Sequence, residues 1–121
     1  MNSTFIILAS LLGALSVALG AFGAHALRRR LPQERLETFE TAARYQMYHA
    51  LALLAAGLSA GRFARPGLVL AAGWLFIAGI ALFSGSLYLL VFSGNRRWGA
   101  VAPLGGLCFI AAWICLGIAA L

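Results

Sequence analysis

Apolar residues run almost without interruption through four stretches of this chain, and polar residues are confined to the gaps between them. An α-helix needs about 20 apolar residues to cross about 30 Å of hydrocarbon. Residues 5–27, 42–61, 67–92 and 99–121 each supply such a stretch, the third long enough to cross with some tilt. Barrel strands would alternate polar and apolar positions, so unbroken runs predict helices. The expected fold is all-α: an integral membrane four-helix bundle of antiparallel transmembrane hairpins, one domain over residues 1–121. The connections at 62–66 and 93–98 are tight enough for hairpins.

The first gap has a different pattern. Pro32 stands at a helix start, followed by Glu34, Glu37 and Glu40, which places negative charge near a positive helix N-terminus. Leu36, Phe39 and Ala43 recur at helical spacing, opposite Glu34, Glu37, Thr41 and Arg44. This predicts a short amphipathic interfacial helix over about 32–41 between helices 1 and 2. A solvated extension of the second span fits the same residues. Ala24-His25-Ala26 matches a signal-peptidase pattern, but the apolar run before it exceeds a signal peptide's roughly 7–15 residues, so a retained first helix is expected.

Composition sharpens this picture. The 121 residues are 63% hydrophobic and 10% charged, whereas soluble domains are nearer a quarter charged. A net charge of +6 raises the question of nucleic acid. Every basic residue is an arginine at the end of an apolar run, which fits the positive-inside rule and not a phosphate-binding stripe. Arg28, Arg29, Arg30, Arg35, Arg44, Arg96 and Arg97 flank the first and third connections, against Arg62 and Arg65 at the second. The bias predicts a multi-pass protein with both termini outside the cytoplasm.

Close packing of small residues holds helices together in lipid. Gly13, Ser16, Gly20 and Gly23 on the first helix, Gly79 and Gly85 on the third, and Gly105 and Gly106 on the fourth are the candidate packing positions. Cys108 and Cys115, seven residues apart on one helix, rise about 10 Å from each other and read as packing residues, not a disulfide.

Candidate chemistry is sparse. His25, Tyr45, Gln46, His49, Ser84, Ser86 and Tyr88 form the candidate ligand-binding or buried polar cluster, expected near the cytoplasmic face. Intramembrane polar groups are functional candidates by default. They also serve as helix caps and interhelical hydrogen bonds, and Tyr45, Tyr48, Tyr88 and Trp98 fit an interfacial aromatic belt. Two histidines on adjacent helices are compatible in number with bis-imidazole haem or metal ligation, though no further ligand and no C-x-x-C-H motif accompanies them. No nucleophile–base pair, paired intramembrane carboxylates or phosphate-cradling glycine loop is present, so no enzyme activity, cofactor or metal is expected.

The segments GAFGAHAL, TAARYQMYHALALL, FSGSLYLL and APLGGLCFIAAW, in that order, resemble the domain-of-unknown-function family 423. These are small bacterial inner-membrane proteins with eukaryotic relatives of the transmembrane-256 type. The resemblance covers essentially the whole chain and implies a multi-span protein of the inner (plasma) membrane, without an activity or cofactor. Ala102 stands before Pro103 where the pattern has Thr. Two expectations follow for function. One is a non-enzymatic homo-oligomer or small subunit of a larger membrane complex, contacting membrane lipids and another membrane protein. The other is a bundle that binds or transports a small molecule or lipid at the polar cluster.

Overall fold

The computed structural model describes all 121 residues as four long helices with no strand. Helix α1 (Ser3–Phe22) begins at Asn2, whose side chain accepts the Phe5 N–H at 3.1 Å, and continues into a single π-helical turn, Gly23–Leu27. Helix α2 covers Gln33–Ser59, α3 Pro66–Ser93 and α4 Ala102–Ala119. Proline occupies the first turn of both α3 and α4, where a missing N–H removes no helical bond. Gly94 ends α3 at φ +70, its N–H bonded to the Leu90 carbonyl at 2.9 Å. A residue without Cβ takes this left-handed cap at no steric penalty.

The separate interfacial helix expected over 32–41 is instead the first third of α2. Nothing in Glu40-Thr41-Ala42-Ala43 breaks a helix, so the amphipathic segment and the apolar segment share one axis. The α2 boundary therefore lies nine residues earlier than the predicted span. In the fourth stretch, residues 96–100 form a 3₁₀ turn and α4 starts at Ala102, with Pro103 in its first turn.

Each long helix packs on the next in sequence. Along α1 and α2, the Asn2 N–H bonds to the Gly57 carbonyl at 2.8 Å, Gln46 bonds to Leu12, and Ser16 bonds to Ala43. Gly23 lies under the ring of Phe39, 2.8 Å from where its Cβ would stand. Residue 43 is thus level with residue 16, midway along the apolar stretch Ser3–Leu27. At one end Arg35 lies against Gly94; at the other Arg65 donates to the Ile118 carbonyl at 3.4 Å.

The core has three parts along this axis. Phe5, Leu53, Phe76 and Phe109 fill the middle. Leu27, Leu36, Phe39 and Val91 pack at the arginine-rich end, and Ala56, Val69 and Ala119 at the other. Eleven residues of α2 are buried against three in α1, so α2 is the helix sheltered by its neighbours. The segments Ser3–Leu27, Pro66–Ser93 and Arg96–Ala119 are long and apolar enough to cross a membrane. Helix α2 is not among them, because Glu34, Arg35, Glu37, Glu40 and Arg44 charge its first half.

Candidate functional site

Four polar side chains fasten α2 to the helices on either side. Consecutive carbonyls of α2 each accept a serine hydroxyl, from opposite directions: Ser84 of α3 donates to Ala42 at 2.7 Å and Ser16 of α1 to Ala43 at 2.6 Å. A helical carbonyl has a second lone pair beyond its i+4 bond, so neither α2 turn has to open. One turn later Gln46, 2% exposed, bridges the same two helices. Its amide donates to the Leu12 carbonyl at 2.8 Å, and its Oε1 accepts the Tyr88 hydroxyl at 2.8 Å. No buried side-chain nitrogen or oxygen lacks a partner.

His49 lies one further turn along α2. Its Nδ1 is 2.7 Å from the Tyr45 carbonyl, which can only accept, so Nδ1 carries the proton and the neutral ring's Nε2 is an acceptor. The ring stacks on Phe109 of α4 at 3.5 Å and 3°. Phe76 and Trp113 stand at 5.9 and 6.2 Å between centroids. Four hydrogen bonds between helices and one aromatic stack therefore join α2 to α1, α3 and α4 at a common depth.

The predicted residues divide sharply. Gln46, Ser84 and Tyr88 come together, and His49 adjoins them. Ser86 bonds instead to Phe83 of its own helix. Tyr45 is partly exposed and stacks on Phe83 at 4.7 Å. His25 is exposed on the π-helical turn, beside Gly23, whose partner on α2 is Phe39. Phe39 precedes His49 by ten residues, or roughly 15 Å of helix. The two histidines do not share a site, which removes bis-imidazole ligation within one chain, and no cluster of three or more metal-ligating side chains exists.

The register also places the cluster along α2. Gln46 is 13 residues from either end of α2, so the cluster lies at the middle of that helix. Arg44 moves with it. It is no loop arginine: it neighbours Ala43, level with Ser16 at mid-α1.

Among the small residues, Gly23, Gly79 and Gly105 lie at close helix approaches, against Phe39, Phe109 and the Phe83 backbone. Gly13, Gly20, Gly85 and Gly106 face no neighbour within the chain. Gly57 and Gly73, absent from the sequence reading, form the seats for Ile6 and Phe5. Their signal was a lone glycine opposite an aromatic in an unknown register. Gly20 and Ser16 line an open groove of about 510 Å³ between α1 and α2, with Glu40, Ala43, Arg44 and Met47.

A helical chain with three segments long and apolar enough to cross a membrane and an internally bonded polar cluster has the make-up of a small integral membrane protein. The family model described as "Protein of unknown function (DUF423)" matches residues 19–106. UPF0382 membrane protein YwdK of Bacillus subtilis (strain 168) is 47% identical over 116 residues, covering 96% of this chain and 94% of its own. UPF0382 membrane protein SAB0533 of Staphylococcus aureus (strain bovine RF122 / ET3-1) is 47% identical, covering 95% and 93%. UPF0382 membrane protein SH2409 of Staphylococcus haemolyticus (strain JCSC1435) is 46% identical, covering 93% and 90%. The chain belongs to the DUF423 family. These names specify a membrane protein and no activity. No solved structure matches it.

Proposed function

We propose that the chain is a non-enzymatic four-helix membrane bundle of antiparallel hairpins that acts by self-association through the α1–α2 groove. The crossing of α2 is supported by its contacts with α1, from Asn2–Gly57 at one end to Gly23–Phe39 at the other. A helix paired with a spanning helix over that length crosses the same slab. Its first half packs Leu36, Phe39, Ala42 and Ala43 inward, and its low hydropathy comes from charged residues on the face turned away from the other helices.

The observation that carries self-association is the exposed pair Glu40 and Arg44. Both line the groove, and Arg44 lies level with the middle of an apolar 25-residue segment. Charged side chains at such depth face protein or water and not lipid. A two-fold copy presents Arg44 to Glu40 and Glu40 to Arg44, which is the self-complementarity an isologous interface requires. Gly13 and Gly20, seven residues apart on one face of α1, leave open space there for a close helix approach. The exposed Val17, next on the same side of α1, supplies apolar surface beside it.

The same geometry supports an orientation. Arg28, Arg29, Arg30, Arg35, Arg96 and Arg97 gather at the Arg35–Gly94 end, and Arg62 and Arg65 at the end holding both termini. Six against two favours the first end in the cytoplasm of an inner-membrane protein. A second reading, a small molecule or lipid held at the polar cluster, is favoured by one feature: Nε2 of His49 makes no bond within the chain and is not itself a buried atom, so it is open to a ligand. Native extraction into lipid nanodiscs with mass spectrometry tests both. Two or more chains per particle are expected; single chains without any companion protein would defeat the assembly reading, and a retained small molecule would favour the second.

A further inference from the structure

We propose that the cleft between the start of α2 and the end of α3 binds the phosphodiester of an anionic phospholipid. The proposal is independent of self-association, since the cleft lies at the end of the molecule and shares no residue with the α1–α2 groove. The cleft measures about 500 Å³ and its walls include Arg35 and Glu34 from α2, and Leu90, Gly94 and Arg96 from α3 and its exit.

Folding brings two arginines from separate elements to one cleft, Arg35 from α2 and Arg96 from the turn after α3. Gly94 is in the left-handed region and has no side chain, so Arg35 lies across it, with Nη2 2.9 Å from where a Cβ would stand. Arg96 follows two residues later on the other wall. The arginine whose guanidinium bonds within the chain is Arg65, at the far end; the donors of Arg35 and Arg96 remain free for a ligand. Arginine's planar fork suits phosphate oxygens. Two guanidinium groups against the single carboxylate of Glu34 leave one net positive charge, which matches the one negative charge of a phosphodiester.

Position selects a lipid over a free anion. Arg35 is in the first turn of α2, and Gly94 ends the apolar run of α3, so the arginines stand at headgroup level. Leu90, one turn below, offers an apolar wall where the glycerol and upper acyl carbons would lie. Basic pockets between membrane helices bind anionic headgroups by this arrangement. The exposed Arg28, Arg29, Arg30 and Arg97 add a field that concentrates such lipids nearby.

The test uses the full-length protein in non-ionic detergent, titrated with short-chain phosphatidylglycerol, phosphatidylcholine or inorganic phosphate and read by native mass spectrometry. Phosphatidylglycerol should bind in preference to the other two. At about 1 kcal/mol per arginine, Arg35→Gln with Arg96→Gln should weaken it roughly 30-fold, and Arg96→Gln alone about 5-fold. Arg96 is exposed, so the single variant remains informative if the double variant fails to fold. Arg28→Gln with Arg29→Gln removes equal charge outside the cleft and should change affinity less than Arg96→Gln alone. Equal loss in this control would overturn the proposal in favour of a diffuse field. Binding of phosphatidylcholine as strong as that of phosphatidylglycerol, or of inorganic phosphate in its place, would also overturn it.

Discussion

Replacing Gln46 by Leu separates a fastening role from a ligand-binding role for the central cluster. The substitution keeps nearly the same volume but removes two interhelical bonds, to Leu12 and from Tyr88, both 2.8 Å. Interhelical hydrogen bonds in membrane proteins average about 0.6 kcal/mol and reach about 1.7. Two of them, with the Tyr88 hydroxyl left without its acceptor, give a destabilisation of roughly 1–3 kcal/mol for Gln46→Leu. Tyr88→Phe removes one bond and should cost about 0.6–1.7 kcal/mol. Reversible unfolding in mixed micelles on rising dodecyl sulfate, followed by helical circular dichroism, measures both. The double variant closes a cycle whose coupling energy should be at least about 0.5 kcal/mol, since the two side chains touch. Gln46→Leu as stable as the parent, or a Tyr88→Phe effect that persists unchanged beside it, would refute the fastening role.

Two further outcomes are expected. A Cβ on Gly105 would stand 2.7 and 2.8 Å from Cβ and Cα of Phe83, contacts that side-chain motion cannot relieve, whereas Gly106 faces open space. Unfolding should therefore show Gly105→Ala destabilised by roughly 1–3 kcal/mol and Gly106→Ala within about 0.5. If α2 crosses the membrane, single cysteines at Gln33 and Arg62, in a chain with Cys108 and Cys115 replaced by Ala, should react with an impermeant thiol reagent from opposite sides. Labelling of both from one side would place α2 along the surface.

Helices α1, α3 and α4 were legible because lipid-facing segments must be apolar all round, which leaves an unmistakable run. Helix α2 was harder for the converse reason. One of its faces is made of small or apolar buried residues such as Leu36, Ala42, Ala43 and Ala50, while its other face carries exposed charge over Glu34–Arg44. The change from charged to apolar suggested two helices where the backbone has one. The residue types of the polar cluster were readable, since Gln46 and Ser84 inside apolar runs invite a partner. Their pairing was not, because it depends on the register that sets residue 43 beside residue 16. That register also sets Arg44 level with the middle of the apolar stretch of α1 and leaves His25 alone on its turn. Glycine identity likewise gave no face: Gly105 and Gly106 are adjacent, yet one touches the α3 backbone and the other touches nothing.

Self-association rests most directly on the groove beside Gly20, so subunit counting with Gly20→Leu tests it. A Cβ there meets no atom of the chain within 4 Å, so a leucine starts into open space and partly fills the groove of about 510 Å³. Fluorescently tagged protein in lipid bilayers, counted by stepwise photobleaching, should give two or more steps for the parent and for a Gly106→Leu control. Gly20→Leu, equally helical and equally inserted, should give one. A Gly20→Leu chain with the parent's step number, or a parent chain with a single step, would contradict the account.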